Sequence, residues 1–261
     1  ECAAAGAQLR LNCRVSSVSR GERFVVETSQ GAFESQTLCI ATGGLSIPKL
    51  GATGFAFDIA SQFGLPITPT RPGLVPLTFE EADLAWMRPL SGLSCEVTAS
   101  AGKASFREAA LFTHRGLSGP AILQASSYWR KGEPILIDWL PHADEEALAR
   151  GKRERPRAQT KTVLAQMLPE RLAGALLPEG AAAQEIGAMK DAALVQLARG
   201  LKAFALTPKG TEGYAKAEVM VGGLDTSALS QQTIQALTAP GLFVIQRGGG
   251  VQAFSRGARR R

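Results

Sequence analysis

The segment Thr37-Leu38-Cys39-Ile40-Ala41 loses the alternation of the residues before it, becomes continuously apolar, and runs straight into Thr42-Gly43-Gly44. A strand patterned this way reads as one covered on both faces, as in a parallel sheet, because a half-exposed strand alternates apolar with polar. The small residues at its end permit a close backbone approach, since glycine carries no Cβ. In a doubly wound α/β sheet a nucleotide cofactor lies across strand ends of this kind. A plain strand-to-helix turn uses the same residues, so Ala41, Thr42, Gly43 and Gly44 are candidates for cofactor contact and not yet a site.

The flanking pattern extends the α/β reading. Glu1–Ala7 reads as the end of a helix, and Gln8–Val18 as a strand in which Leu9, Leu11, Cys13 and Val15 alternate with Arg10, Asn12 and Arg14. Turns at residues 19–22 and 30–31 separate it from strands over Arg23–Thr28 and Ala32–Ile40. Phe55, Ile59 and Phe63 stand four apart, which predicts a helix over 55–63 closed by Gly64-Leu65-Pro66. Breaks at Pro69 and Arg71-Pro72-Gly73 precede a change of composition at Leu74. Short strands are expected at 74–79, 93–99, 104–112 and 134–139, with a helix over 121–129 started by Ser118-Gly119-Pro120. Residues 144–204 are rich in strong helix formers. Strand character returns at 217–221 and 242–245, with Gly222-Gly223 as a turn and a helix over 229–237. The order α/β, β, α, α/β fits a module inserted into a host domain better than separate beads.

Composition excludes several classes. Apolar residues are 45% and charged residues 20%, which is globular rather than disordered. No apolar run approaches the ~18 residues of a membrane span. The net charge is +6, but the last fifteen residues hold five arginines and no acid, so the body keeps only +1. A nucleic-acid binder usually carries its charge as a patch on the folded domain, so nucleic acid is not the expected partner. Cys2, Cys13, Cys39 and Cys95 have neither C-x-x-C nor zinc-site spacing. Cys13 and Cys39 read as reduced core residues, and a reducing cytoplasm fits best. His114 and His142 are the only two histidines, and no metal site is expected from them. His114, in the Thr113-His114-Arg115-Gly116 turn, is either a hydrogen-bonded structural residue or a proton donor beside a redox cofactor. His142 and the charged run Arg150–Arg157 read as solvated surface, and Trp139 and Tyr214 as packing residues.

Ala41-Thr42-Gly43-Gly44-Leu45-Ser46-Ile47-Pro48-Lys49-Leu50-Gly51-Ala52-Thr53-Gly54 is far more specific than any short motif. Together with Arg71-Pro72-Gly73-Leu74-Val75-Pro76-Leu77, residues 111–123 (LFTHRGLSGPAIL), and Gly210-Thr211-Glu212-Gly213-Tyr214 through Gly222-Gly223, it resembles the BaiN-like or YhiN-type flavoprotein family. These are the enzymes also called aminoacetone oxidase family FAD-binding proteins. The resemblance implies an α/β fold with a partial Rossmann-like FAD-binding domain and an inserted β-barrel plus helical module. It divides the chain into 1–74 (part of the FAD-binding domain), 75–143 (barrel), 144–205 (helical insert), 206–245 (return to the FAD-binding domain) and 246–261 (basic tail). It also implies that the backbone of Val15 addresses the adenine, with Thr42 and Gly43 beside the cofactor.

The expected function is FAD-dependent redox chemistry on a small organic substrate, with NAD(P)H a possible electron donor. Which substrate, which electron partner and which oligomeric state are left open. Two departures from the family pattern lead to the expectation of a fragment that holds little flavin by itself. The family's G-x-G-x-x-G unit should precede Glu1, and its flavin-side Gly-Trp-Leu-Gly-Gly-Tyr-Asn-type segment is replaced after Ile245 by Gln246-Arg247-Gly248-Gly249-Gly250 and the arginine-rich end. A frameshift in GC-rich DNA and a genuine basic tail both explain that end. The alternative function is a non-enzymatic binding module whose basic tail contacts nucleic acid.

Overall fold

The computed structural model describes residues 4–245, which fall into two units: 4–45, 50–70 and 222–245 in the first, 46–49 and 71–221 in the second. In the first unit β1 (Val15–Arg20), β2 (Phe24–Thr28) and β3 (Gly31–Ser35) form an antiparallel meander. Arg20 stands opposite Phe24, and Thr28 opposite Gly31. The strand expected from Gln8 begins only at Val15. Leu9 and Leu11 are 83% and 69% exposed, and Asn12 takes a left-handed φ of 55° that interrupts any extended run before β1. Residues 4–6 form a turn where a helix end was expected, and Glu1–Ala3 lie outside the described residues.

The single strand expected over 32–40 is two strands. β3 ends at Ser35, and β4 (Leu38–Ile40) belongs to a different sheet. Ile40 is buried but Cys39 is exposed, so the described residues cover one face of β4 and not both. Cys39 is therefore not a core residue, and Cys13 is only half-buried. The covered face meets α1 (Phe55–Gln62), which buries Ala56, Ile59 and Ala60. Phe63, next after α1, sets its ring edge-on to Phe24 at 5.9 Å. β5 (Ile67–Gly73) then passes through both Pro69 and Pro72, where breaks were expected. Among the described residues β5 has a single strand neighbour, and edge strands are where a sheet accommodates prolines.

The second unit contains β6 (Leu77–Thr78), α2 (Glu81–Met87), β7 (Ser94–Ala101), β8 (Ala104–Thr113), β9 (Gly116–Ser118), α3 (Pro120–Ser126) and β10 (Ile135–Asp138). There follow α4 (Ala147–Glu154), α5 (Thr160–Leu164), α6 (Glu170–Leu176), α7 (Asp191–Lys202), β11 (Phe204–Leu206) and β12 (Gly210–Thr211), and β13 (Val219–Leu224) begins in the second unit and ends in the first. An antiparallel sheet runs in the order β11-β10-β7-β8-β9-β6-β12, with α3 packed on β7 and β8. Sheet and helices share one apolar core, in which fully buried Trp139 stacks on Phe112 at 5.6 Å and meets the edge of Phe204 at 6.1 Å. α3 is capped by Gly119 rather than by Ser118, which ends β9.

β13 runs through Gly222 and Gly223, which were expected to turn the chain. They are glycines for another reason: Gly222 has φ 85°, and a Cβ there would overlap the Pro69 carbonyl of β5. The helix expected over 229–237 is absent. Isolated bridges Leu229–Ala236 and Gln235–Phe243, and a left-handed Ile234 at φ 55°, hold this stretch as a folded loop. β14 (Leu242–Val244) then pairs in parallel with β4. The fold is thus mixed α and β, with four sheets and seven α-helices among the described residues. No described helix is long and apolar enough to cross a membrane. The basic tail, and with it the expected frameshift, lies outside the described residues.

Candidate functional site

β4 and β14 are in register from Leu38–Leu242 to Ile40–Val244, and the Ile245 amide donates to the Ile40 carbonyl at 2.8 Å. The chain leaves this parallel pair through Ala41 and Thr42, both exposed, into Gly43 at φ 76°. No atom lies within 4 Å of where a Gly43 Cβ would stand. The turn is therefore open backbone at the carboxyl end of a parallel strand pair, which is where a nucleotide cofactor is accepted in an α/β sheet. Gly44 and Leu45 follow half-buried. Val15 opens β1, 36% exposed, next to a register irregularity between Val15 and Ser17. Val15, which pairs with Thr28 of β2, and Ala41–Gly44 thus belong to the same unit.

His114 lies in the second unit, in the turn from β8 to β9. Thr113 Oγ1 accepts the Arg115 amide at 3.3 Å, and the His114 carbonyl accepts from Arg88 Nε at 3.5 Å. The residue is exposed. His142 is exposed too and contacts Arg107 and Glu96. The Glu96 carboxyl lies below its ordinary value because Arg107 and then His142 hydrogen-bond to it. Cys95 is half-buried, and burial pushes its thiol up to about 11, away from nucleophilic use. No group of histidine, cysteine and carboxylate side chains among the described residues is arranged to hold a metal ion.

Segment 71–77 pairs with segment 111–123 at Leu77–Leu117 and is held to the end of α3 just beyond it. Arg71 donates to the Ser126 and Ser127 carbonyls at the end of α3. The Leu74 and Val75 amides donate to Ser127 Oγ at 3.1 Å and Ser126 Oγ at 3.0 Å, and Ser126 Oγ donates onward to the Leu123 carbonyl at 2.7 Å. The other two segments join each other through the Ile47 amide, which donates to the Tyr214 carbonyl at 3.0 Å, and the last reaches 71–77 through the Glu212 amide, which donates to the Pro76 carbonyl at 3.0 Å. Much of the signature is thus architectural. Burial, then the neighbouring Arg130, lowers the Arg71 guanidinium below its ordinary value, with Tyr214 opposing. Sequence reading missed the resulting cluster of Arg71, Arg130, Lys131 and Lys209 around one cleft. Its members come from three places in the chain, and the adjacent pair Arg130-Lys131 was the only local signal.

Residues 71–219 match the family described as HI0933-like protein barrel and H2TH domain. The chain is 41% identical over 254 residues to a ribosomal RNA dihydrouridine synthase of Haemophilus influenzae, covering 94% of this chain and 63% of that protein. It is 42% identical over 257 residues to a ribosomal RNA dihydrouridine synthase of Escherichia coli, covering 94% of this chain and 62% of that protein. It is 25% identical over 236 residues to a 3-dehydro-bile acid delta(4,6)-reductase of Clostridium scindens, covering 85% of this chain and 58% of that protein. The chain therefore spans somewhat under two thirds of the length of the curated relatives it matches.

Proposed function

From the premise that this chain belongs to the HI0933-like family, we propose that it forms part of a flavin-dependent reductase that saturates the C5–C6 double bond of uridine in ribosomal RNA. The observation that carries this reading is the 41–42% identity, across 94% of the chain, to two proteins named for that product. The more distant relative supports the reaction class: its name specifies reduction at double bonds of a 3-oxo steroid. In both substrate types the reduced bond is conjugated to a carbonyl, so hydride adds to the carbon remote from that carbonyl and a proton to the carbon beside it. The near-neutral charge of the body argued against a general nucleic-acid binder. Support for an RNA substrate comes from the relatives instead.

In this reading FAD, when bound, supplies the hydride, with NAD(P)H as a candidate source of electrons. The Rossmann-like host, expected from the resemblance, would be assembled around β4 and β14. Ala41–Gly44 would hold the cofactor by open backbone, Gly43 leaving room that any Cβ would take. Val15 would meet the adenine end through its own backbone. The second unit would then serve the substrate, its signature segments keeping α3, β5 and β9 in fixed relation. A reductase of a small conjugated ketone is the second reading, favoured by the steroid reductase alone. The test is mass spectrometry of ribosomal RNA from source cells with and without the gene. Loss of a nucleoside two hydrogens heavier than uridine on deletion supports the proposal, and an unchanged nucleoside profile contradicts it.

A further inference from the structure

We propose that the cleft between the end of α3 and β12, lined by Arg71, Arg130, Lys131 and Lys209, binds a backbone phosphate of the RNA strand. The inference rests on the RNA reading above and adds a site to it. Arg130 and Lys131 follow α3 by a few residues, Lys209 immediately precedes β12, and Arg71 lies in β5, so three separate elements bring the cations together.

The charge there is uncompensated. Among the described residues no carboxylate lines the cleft, and Arg71, Arg130 and Lys131 have no ion-pair partner. Lys209 reaches Glu80 at 3.0 Å, but both side chains are 61% exposed, an arrangement that holds a lysine weakly. Arg71 is fixed by the two carbonyls that end α3, so its charge stays at the cleft wall without costing order when an anion arrives. Thr211 Oγ1 accepts the Gly213 amide at 3.2 Å, which leaves its own proton free to donate. Arginine, lysine and hydroxyl donors converging without an acid are the chemistry of a phosphate site.

Size and exposure favour a strand over a soluble dinucleotide. The cleft measures about 270 Å³, below the ~300–1,000 Å³ of pockets that enclose whole small molecules. It takes a phosphate and leaves the rest of a nucleotide outside. Arg130, Lys131 and Lys209 are exposed at its rim, where a polyanion passing over the surface meets all three.

The test compares the chain with its Arg130→Ala/Lys131→Ala variant, each also prepared without residues 247–261 to remove the basic tail. Both substituted positions are exposed, and circular dichroism checks the fold. A labelled, short, uridine-rich single-stranded RNA is titrated by fluorescence anisotropy between about 50 and 200 mM salt, and NADPH and inorganic phosphate are titrated by calorimetry. RNA affinity should fall about tenfold, and the slope of log affinity against log salt should flatten by about 1.4, or ~0.7 for each phosphate-contacting cation removed. Arg155→Ala/Arg157→Ala, two exposed cations elsewhere, should leave both quantities unchanged. An equal loss from that control, or an unaltered slope in the Arg130/Lys131 variant, overturns the cleft assignment while RNA binding itself stands. A loss confined to NADPH also overturns it, identifying the phosphate as a dinucleotide's. If the unsubstituted chain binds no RNA at any salt, the RNA reading falls along with the cleft.

Discussion

Replacing Lys202 with methionine should destabilise the second unit more than any surface charge deletion in it. Lys202 Nζ, at the end of α7, donates to Asp138 Oδ2 at 2.8 Å, the Leu140 carbonyl at 2.9 Å and the Ala143 carbonyl at 2.8 Å. It thereby ties the last helix to the end of β10 and to the loop leading into α4. The two charged side chains are only 25% and 21% exposed. Methionine keeps the stem and removes the donors, leaving Asp138 Oδ2 and the Ala143 carbonyl without the lysine, while the Leu140 carbonyl keeps only the Ala143 amide. Breaking a buried pair on one side costs ~3–5 kcal/mol, and partial exposure reduces this to about 2–3 kcal/mol. For a unit of this size that is a fall in Tm of roughly 5–10 °C. Urea unfolding followed by tryptophan fluorescence is the assay, because Trp139 adjoins Asp138 and is fully buried. Asp138→Asn keeps an acceptor for the Leu140 amide, which bonds Asp138 Oδ1 at 2.8 Å. In the double variant it should recover at least about 1 kcal/mol relative to additivity. A loss below about 1 kcal/mol from Lys202→Met alone, or strict additivity in the cycle, would refute the reasoning.

Three further outcomes are expected. Gly222→Ala should cost well over 2 kcal/mol, since its φ of 85° disfavours any L-residue and its Cβ overlaps the Pro69 carbonyl; Gly43→Ala, at φ 76° with open space around it, should cost only about 1–2 kcal/mol in the same denaturation assay. The Cys95 thiol, raised by burial from an ordinary 9.0 to about 11, keeps its proton in the folded chain while the unfolded chain loses it. Stability should therefore decline as pH rises from about 9 to about 11, and Cys95→Ala should flatten that decline in a pH series of melting curves. On the acid side, hydrogen bonds from Lys152 to Asp191 and from Arg150 to Asp144 hold these carboxyls below their ordinary values. Their contribution is present above the unfolded carboxylate range and is lost as pH falls through the folded values, so melting between about pH 5 and 2 should drop less at high salt.

Elements with a strong local period were legible in the sequence, and elements defined by a distant partner were not. The Phe55–Phe63 stripe gave α1, and the runs at 93–99 and 104–112 gave β7 and β8, because burial of one face dictates residue type directly. Pro69 and Pro72 read as breaks because a proline is costly in a ladder. They lie in a strand that has one neighbour among the described residues, a fact of topology and not of local sequence. Gly222 and Gly223 read as a turn for the same reason: close approach to Pro69 and conformational freedom select the same residue. The alternation of Leu9, Leu11, Cys13 and Val15 predicted a covered face, but Leu9 and Leu11 are exposed in the described structure. The open turn at Gly43 was legible as a run of small residues, while its place at a cofactor is a proposal. The basic cleft was not, because Arg71, Arg130, Lys131 and Lys209 are brought together by the fold over 139 positions of sequence.

The proposed activity is reduction of uridine within RNA. The most direct measurement supplies the intact protein with FAD and NADPH, offers it unmodified ribosomal RNA and, separately, a conjugated 3-oxo steroid, and follows NADPH consumption together with the nucleoside and steroid products. The account predicts dihydrouridine in the RNA, formed in proportion to NADPH consumed and only with flavin present. Turnover of the steroid with RNA left unreduced would contradict it.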